Sequence, residues 1–194
     1  VNTISEIIYL MTKELTPKDE EIVLKVVNGD LEAYGEIMNR YEAKLLRYVI
    51  YLARDQVSAA DIVQETFIKA YQNLKGFSPK YKFSSWIYRI AHNETMNAIK
   101  RDKHINHNVD IEFASEASYE TNTVHDIDQK ILSKGLNACL DGLDNKYREV
   151  LMLQYFEDMK DTEIADILRI PIATVGVRSA RAKAKLKNIC QEKG

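Results

Sequence analysis

Asp161-Thr-Glu-Ile-Ala-Asp-Ile-Leu168, Arg169-Ile-Pro-Ile-Ala173 and Thr174-Val-Gly-Val-Arg-Ser-Ala-Arg-Ala-Lys-Ala-Lys-Leu-Lys187 form the stretch that decides the fold. A short helix, a turn punctuated by proline and a longer basic helix describe a helix-turn-helix. Along the second helix Val175, Ser179, Ala182, Leu186 and Ile189 recur at steps of four and three, which makes them the inward stripe. Thr174, Val177, Arg178, Arg181 and Lys185 fall on the other side. Five basic residues and no acid lie between Ile172 and Lys187, so the outward face suits a major groove lined by phosphates. A basic helix that is merely solvated is the plain alternative; the short helix and turn before it favour DNA.

Upstream, Asp144 caps a helix through Phe156 with Tyr147, Val150, Leu151, Leu153 and Tyr155 as its apolar positions. Before that, residues 127 to 140 read as amphipathic through Ile131, Leu132, Leu136 and Leu140. Residues 102 to 128 break this pattern. They hold seven acids against one base, are rich in Ser, Thr and Asn, and lack helical periodicity, so they read as an acidic linker. His104, His107 and His125 have no ligand-spaced partners there, and no metal site is expected.

Helical signals return on the N-terminal side of the linker. Thr16 as N-cap, Pro17 at the first helical position and three acids after it open one helix, which Gly29 stops. Asp30 caps a longer one, whose stripe is Leu31, Tyr34, Ile37, Met38, Tyr41, Leu45, Tyr48, Val49 and Leu52. Ser58 opens a third helix, which carries Ile62, Phe67, Ala70 and Tyr71 on its apolar side and Asp61, Gln64, Glu65 and Lys69 off it. A fourth runs from Phe83 to Arg101. Here Tyr81, Phe83, Trp86, Tyr88 and His92 interleave with Lys80, Lys82, Arg89, Lys100 and Arg101. Aromatic faces stack on unpaired bases and cations neutralise phosphates, the combination that holds single-stranded nucleic acid. Trp86, Ile87 and Ile90 read equally well as core; Tyr81 and Tyr88 are the aromatics expected to be exposed, with Lys82 and Arg89 on phosphates.

Composition agrees with an all-α chain of two small helical domains. Gly and Pro supply only 10 of 194 residues, below the ~12% of average usage. The longest apolar or aromatic run, Tyr48-Val-Ile-Tyr-Leu-Ala53, is far short of the ~20 residues that span a bilayer, and Glu6 stands where a signal peptide carries basic residues. A cytoplasmic, non-secreted protein follows as the expectation. Cys139 and Cys190 lack metal spacing and are read as two ordinary thiols rather than a disulfide.

Four stretches together resemble the extracytoplasmic-function sigma factors of bacterial RNA polymerase. Asn28-Gly-Asp-Leu-Glu-Ala-Tyr-Gly-Glu-Ile37 resembles the family's opening segment. Asp61-Ile-Val-Gln-Glu-Thr-Phe-Ile-Lys-Ala-Tyr71 resembles the helix that docks on the β′ clamp helices. Phe83-Ser-Ser-Trp-Ile-Tyr-Arg-Ile-Ala-His-Asn93 resembles the segment on the melted minus-10 strand, and residues 143 to 175 resemble the minus-35 reader. The resemblance implies an N-terminal domain over 16–101, a linker over 102–127 and a C-terminal helix-turn-helix domain over 128–190. It implies core-polymerase contacts by Asp61, Gln64, Glu65 and Lys69, minus-10 contacts by Lys80, Tyr81, Lys82, Trp86, Tyr88, Arg89 and Asn93, and minus-35 contacts by Thr174, Gly176, Val177, Arg178, Arg181 and Lys185. Core RNA polymerase, promoter DNA and an anti-sigma factor are the implied partners, with no cofactor, small-molecule substrate or catalytic residue.

Some positions depart from the family. Gly176 and Val177 stand where relatives carry a basic residue and a hydroxyl, Arg169 where Gly is common, and Ser179 on the inner stripe is expected to weaken packing. A stand-alone helix-turn-helix regulator with an N-terminal sensor or dimerisation domain is the rival reading, but it leaves the Asp61 to Tyr71 helix and the aromatic-basic helix unexplained. An enzyme is disfavoured, since no phosphate-binding glycine loop, ligand set or nucleophile motif occurs.

Overall fold

The computed structural model describes residues 17–54, 58–107 and 134–193, all of whose regular structure is helical. Helix α1 spans Asp19–Val27, α2 Glu32–Ala53, α3 Ala59–Asn73 and α4 Phe83–His107. After the linker come α5 (Lys134–Asp141), α6 (Asn145–Leu151), α7 (Asp161–Leu168) and α8 (Ile172–Lys193). Helix α6 continues into a wider π turn over Met152–Phe156. Among these residues no helix is long and apolar enough to cross a membrane.

Local chemistry sets most of the boundaries. Asp19, Glu20 and Glu21 occupy the first turn of α1, where negative charge meets the positive end of the helix dipole. The N-cap is Lys18 rather than Thr16, which lies outside the described residues. Gly29 follows that helix at φ +105°, a left-handed conformation that glycine adopts without Cβ strain. The Asp30 carboxylate accepts from the Ala33 N–H at 3.2 Å, and the Ser58 hydroxyl accepts from the Asp61 N–H at 3.4 Å. Both are N-terminal caps that satisfy an otherwise unpaired donor. Arg169 ends α7 in the left-handed region at φ +52°, so a side chain is carried where glycine would be unstrained.

The inner stripe of α2 buries Tyr34, Ile37, Tyr41, Leu45, Tyr48, Val49 and Leu52, whereas Leu31 and Met38 are exposed, contrary to the stripe read from spacing. Leu31 precedes the helix, and Met38 follows buried Ile37 around to the outer side. Helices α1 to α4 pack on one another in chain order, and α8 lies against α5, α6 and α7. Helix α4 runs six residues beyond the expected end at 101 and is the platform for α7.

The two sets of helices share an interior. One apolar core contains Ile37, Leu45, Phe67, Phe83 and Ile87 from the N-terminal helices together with Val150, Leu153, Ile164, Ile167 and Val175 from the C-terminal ones. A smaller core of Leu140, Leu143, Tyr147, Leu151 and Ala182 lies within the C-terminal helices. Polar contacts follow the same seam. Glu157 lies between the Arg47 guanidinium, at 2.6 Å, and the Tyr88 hydroxyl, which donates to its other oxygen. Glu149 accepts from Tyr48 and lies 2.6 Å from His92 Nδ1. Arg54 donates to the carbonyls of Asp141 and Leu143 at 2.7 and 2.9 Å, placing a cation at the negative end of α5.

Ser179 corrects the expectation of a weak spot. It is buried, and its hydroxyl donates to Gln154 Oε1 at 2.6 Å, so the polar atom on the inner stripe has a partner on the π turn. Arg148 is the opposite case. Its side chain is 1% exposed; Nη2 donates to Asn145 Oδ1 and Nη1 lies 3.8 Å from the Asp141 carboxylate, but Nε and Nη1 have no hydrogen-bond partner. Burial first, and then the neighbouring Arg54 charge, lower its pKa to about 10.

The cysteines are also a correction, because Cys139 and Cys190 form a disulfide across 51 positions of sequence. The approach of α8 to the end of α5 brings them together, and Gly142 permits it. A Cβ at Gly142 would meet Ile189 Cγ2 at 3.0 Å. A native disulfide of this kind contributes about 2–4 kcal/mol, largely by restricting the unfolded chain. Dithiothreitol should therefore lower the unfolding free energy of the oxidised protein by that amount, read as a fall in the urea midpoint. Cys139→Ala should start from the lowered midpoint and show no further response to reductant.

Candidate polymerase and nucleic-acid interfaces

On α3 the polar residues point away from the core. Asp61, Gln64 and Glu65 are exposed, while Ile62, Val63, Thr66 and Phe67 are buried beneath them. Lys69 is held by two carboxylates, with Nζ 2.6 Å from Glu94 and 3.3 Å from Glu65. The Glu94 contact raises the lysine's pKa more than partial burial lowers it. An open groove of about 520 Å³ runs between α3 and α4, lined by Asp61, Ile62, Glu65, Glu94, Ala98 and Arg101 among others. Glu94 and Ala98 were not singled out by sequence reasoning, and Arg101 was read only as a cation of the aromatic-basic segment. Their i, i+4, i+7 spacing was the available signal, since it places all three on one side of α4.

The aromatic-basic segment separates into two groups. Phe77, Phe83 and Trp86 pack together with ring centroids 5.4 to 5.6 Å apart, so the core reading holds for much of this cluster, including half-buried Trp86. Tyr81, 67% exposed, and the exposed Lys80 and Asn93 remain at the surface. Tyr88 contradicts its expected exposure. At 1% exposed it is core, because its ring meets Tyr48 and its hydroxyl reaches Glu157.

Lys82 and Arg89 are also engaged. Lys82 Nζ lies 2.8 Å from Glu163, and Arg89 Nη1 lies 3.1 Å from Asp166. Both acids belong to α7. The Glu163 contact raises the Lys82 pKa. Burial alone would raise that of Glu163, but the Lys82 ammonium and the Lys160 N–H outweigh it and bring the carboxyl below its ordinary value.

On α8 the stripe reads as its spacing implies. Val175, Ser179 and Ala182 are buried, whereas Gly176, Val177, Arg181 and Lys185 are exposed and Thr174 and Arg178 half-buried. Lys185 is shared between Asp144, at 3.1 Å, and the face of the Tyr147 ring, at 4.9 Å. No ion pair to Arg178 or Arg181 occurs among the described residues. A Cβ at Gly176 would meet nothing within 4 Å. Among the described residues no cluster of three or more His, Cys, Asp or Glu could hold a metal ion.

Comparison with known proteins finds two sigma-70 patterns along the chain. The sequence pattern of sigma-70 region 2 matches residues 37–105, and that of sigma-70 region 4 matches residues 134–186. The chain is 31% identical to the ECF RNA polymerase sigma factor SigW of Bacillus subtilis, over 85% of this chain and 92% of that protein. It is 30% identical to the ECF RNA polymerase sigma-E factor of Haemophilus influenzae, over 93% and 98%. In fold it is similar to CnrH, solved in complex with the cytosolic domain of CnrY, with a TM-score of 0.67 at 22% identity over 91% of this chain and 99% of that one. It is also similar to the sigma factor RpoE of Bartonella quintana, solved with the anti-sigma factor NepR, with a TM-score of 0.62 at 21% identity over 81% and 96%. Both sigma regions are present in order, and relatives of one kind are matched along nearly their whole length, so this chain belongs to the ECF sigma factors of RNA polymerase.

Proposed function

We propose that this sigma factor divides its task among three surfaces. The exposed side of α3, with Asp61, Gln64 and Glu65, docks on the β′ clamp helices of core RNA polymerase, and Lys69 orients Glu65 within it. Lys80, Tyr81, Lys82, Trp86, Arg89 and Asn93 take the melted minus-10 strand, with Tyr88 as a buried support. The outward face of α8, with Thr174, Gly176, Val177, Arg178, Arg181 and Lys185, enters the minus-35 major groove. The 16–101 and 128–190 units act as separate promoter readers joined by the acidic 102–127 segment. Polymerase carries the chemistry; the sigma factor, working in the cytoplasm, supplies recognition and melting.

The observation that carries this reading is the separation of surfaces. The polar row on α3 and the basic row on α8 face solvent independently, as a protein that grips polymerase and DNA at once requires. A fold neighbour solved with an anti-sigma factor supports such a factor as the protein that holds this chain inactive. Pull-down of core polymerase followed by run-off transcription from a genomic library tests the function as a whole.

Reversing Asp61 and Glu65 to Lys should weaken core binding by about tenfold or more, each tenfold being ~1.4 kcal/mol. The circular-dichroism spectrum should stay helical, because both side chains lie off the core. Unchanged core affinity would remove α3 from the interface.

On α8, Gly176→Lys adds a cation in open space and gains ~0.7–1 kcal/mol of helix propensity. Minus-35 affinity of the polymerase complex should rise, and its log–log salt slope should steepen by about one. Arg181→Ala should cost ~1–3 kcal/mol and relax preference at one or two base pairs. Salt titrations on matched and mismatched duplexes separate these effects; a uniform loss across all sequences would make Arg181 a phosphate contact instead.

A further inference from the structure

Helix α8 is seated on a turn to which the proposed function assigns no role. The π turn over Met152–Phe156 widens the end of α6, and turns of this kind within helices recur at functional sites. Two of its neighbouring residues reach the same flank of α8. Gln154 Oε1 accepts from the Ser179 hydroxyl at 2.6 Å, and the Tyr155 ring centroid lies 5.2 Å from the Lys183 ammonium, one turn further along. The Gln154 amide nitrogen in turn donates to Asp161 Oδ1 at 2.7 Å, in the first turn of α7. One side chain therefore ties α7, the π turn and α8 together.

Chemistry fixes the direction of this relay. An ionised carboxylate only accepts, so Asp161 takes the NH2 end of the Gln154 amide; the carbonyl end is left for Ser179, whose hydroxyl must donate. Ser179 lies on the inner stripe between buried Val175 and buried Ala182. Apolar contact is not directional and by itself holds a helix loosely in rotation. A hydrogen bond weakens steeply off line, and this one comes from the interior of α8, next in sequence to Arg178. With side-chain tips about 5–6 Å from the axis, a turn of about 20° moves the outward atoms by about 2 Å. That is enough to break a bidentate contact with a base edge.

We propose that Gln154 is a positioning residue for minus-35 recognition, a role that rests on the reading of α8 as the minus-35 helix. By holding Ser179 it sets the rotation of α8, and with it the base edges that Thr174, Arg178 and Arg181 reach. Gln154 itself touches no DNA. The hydroxyl at position 179, a departure from the family pattern, is then part of how this chain chooses its promoters.

Gln154→Met keeps the length of the side chain and removes both bonds. Adding Ser179→Ala removes the hydroxyl that the first change leaves unpaired, and replacing both partners by apolar groups is nearly neutral for stability. Polymerase complexes of wild type and double variant are titrated with duplexes carrying the minus-35 element of a promoter found by run-off transcription. The same duplexes changed at one base pair at a time measure preference. The double variant should keep the wild-type urea midpoint and log–log salt slope, since the phosphate contacts remain. Its preference for the matched duplex should fall about tenfold at one or two base pairs.

Undiminished preference in the double variant overturns the positioning role. So does a loss shared equally by all duplexes in step with a lowered urea midpoint or a weakened helical spectrum, which is what a merely structural contact would give. In either case a wild-type complex that discriminates among the duplexes leaves the reading of α8 standing. A wild-type complex that shows no preference at any minus-35 base pair sinks that reading, and the role of Gln154 with it.

Discussion

The carboxylate of Glu157 is the contact on which the arrangement turns. Its side chain is 4% exposed, and an anion taken out of water is costly unless it is paired and hydrogen-bonded. Arg47 from α2 and Tyr88 from α4 meet that need together, one at each oxygen. The turn after α6 is thereby fixed against two helices from the other half of the chain. Once that turn is placed, α7 can lie only along α4, and its two acids come to rest on Lys82 and Arg89.

Glu149 repeats the solution about two turns earlier, between Tyr48 and His92. Burial and the adjacent carboxylates raise the Tyr48 and Tyr88 hydroxyls well above their ordinary pKa, which keeps them protonated and able to donate. The seam between the halves therefore has tyrosine hydroxyls and the Arg47 guanidinium donating to carboxylates in its interior and ion pairs at its exposed margin. The interior part specifies the geometry. Exposed pairs contribute only about 0–1 kcal/mol each, and they are also the ones that involve residues assigned to DNA.

The sequence reading succeeded for most positions where spacing within one helix carries the information, with Leu31, Met38, Tyr71 and Tyr155 as exposed exceptions. Val175, Ser179 and Ala182 are an inward stripe by arithmetic alone, and Asp61, Gln64 and Glu65 are an outer row for the same reason. It failed where the deciding partner is distant in the chain. Tyr88 looks like a stacking platform until Glu157, 69 positions away, takes its hydroxyl. Ser179 looks like a packing defect until Gln154 supplies an acceptor from a turn that no motif marks. Cys139 and Cys190 look unrelated because only the approach of α8 to α5 makes them neighbours. Lys82 and Arg89 were expected on phosphates, and the anions they hold here, Glu163 and Asp166, belong to the same chain.

Arg148 gives the C-terminal half an order in which to come apart. A guanidinium shut away from water, with two nitrogens lacking hydrogen bonds, a long 3.8 Å ion pair to Asp141 and Arg54 beside it, gains hydration as soon as the corner between α5 and α6 is wetted. Local opening begins where such gains are greatest and buried contacts are fewest. The corner is thus the natural breach in that half, and Lys185, which pairs with Asp144 there, ties it to the outward side of α8. The Cys139–Cys190 bond spans the breach. With it intact, a wetted corner stays tethered and can close again without the end of α8 drifting from its place, so the oxidation state of one cysteine pair separates a reversible flutter from a loss of the domain.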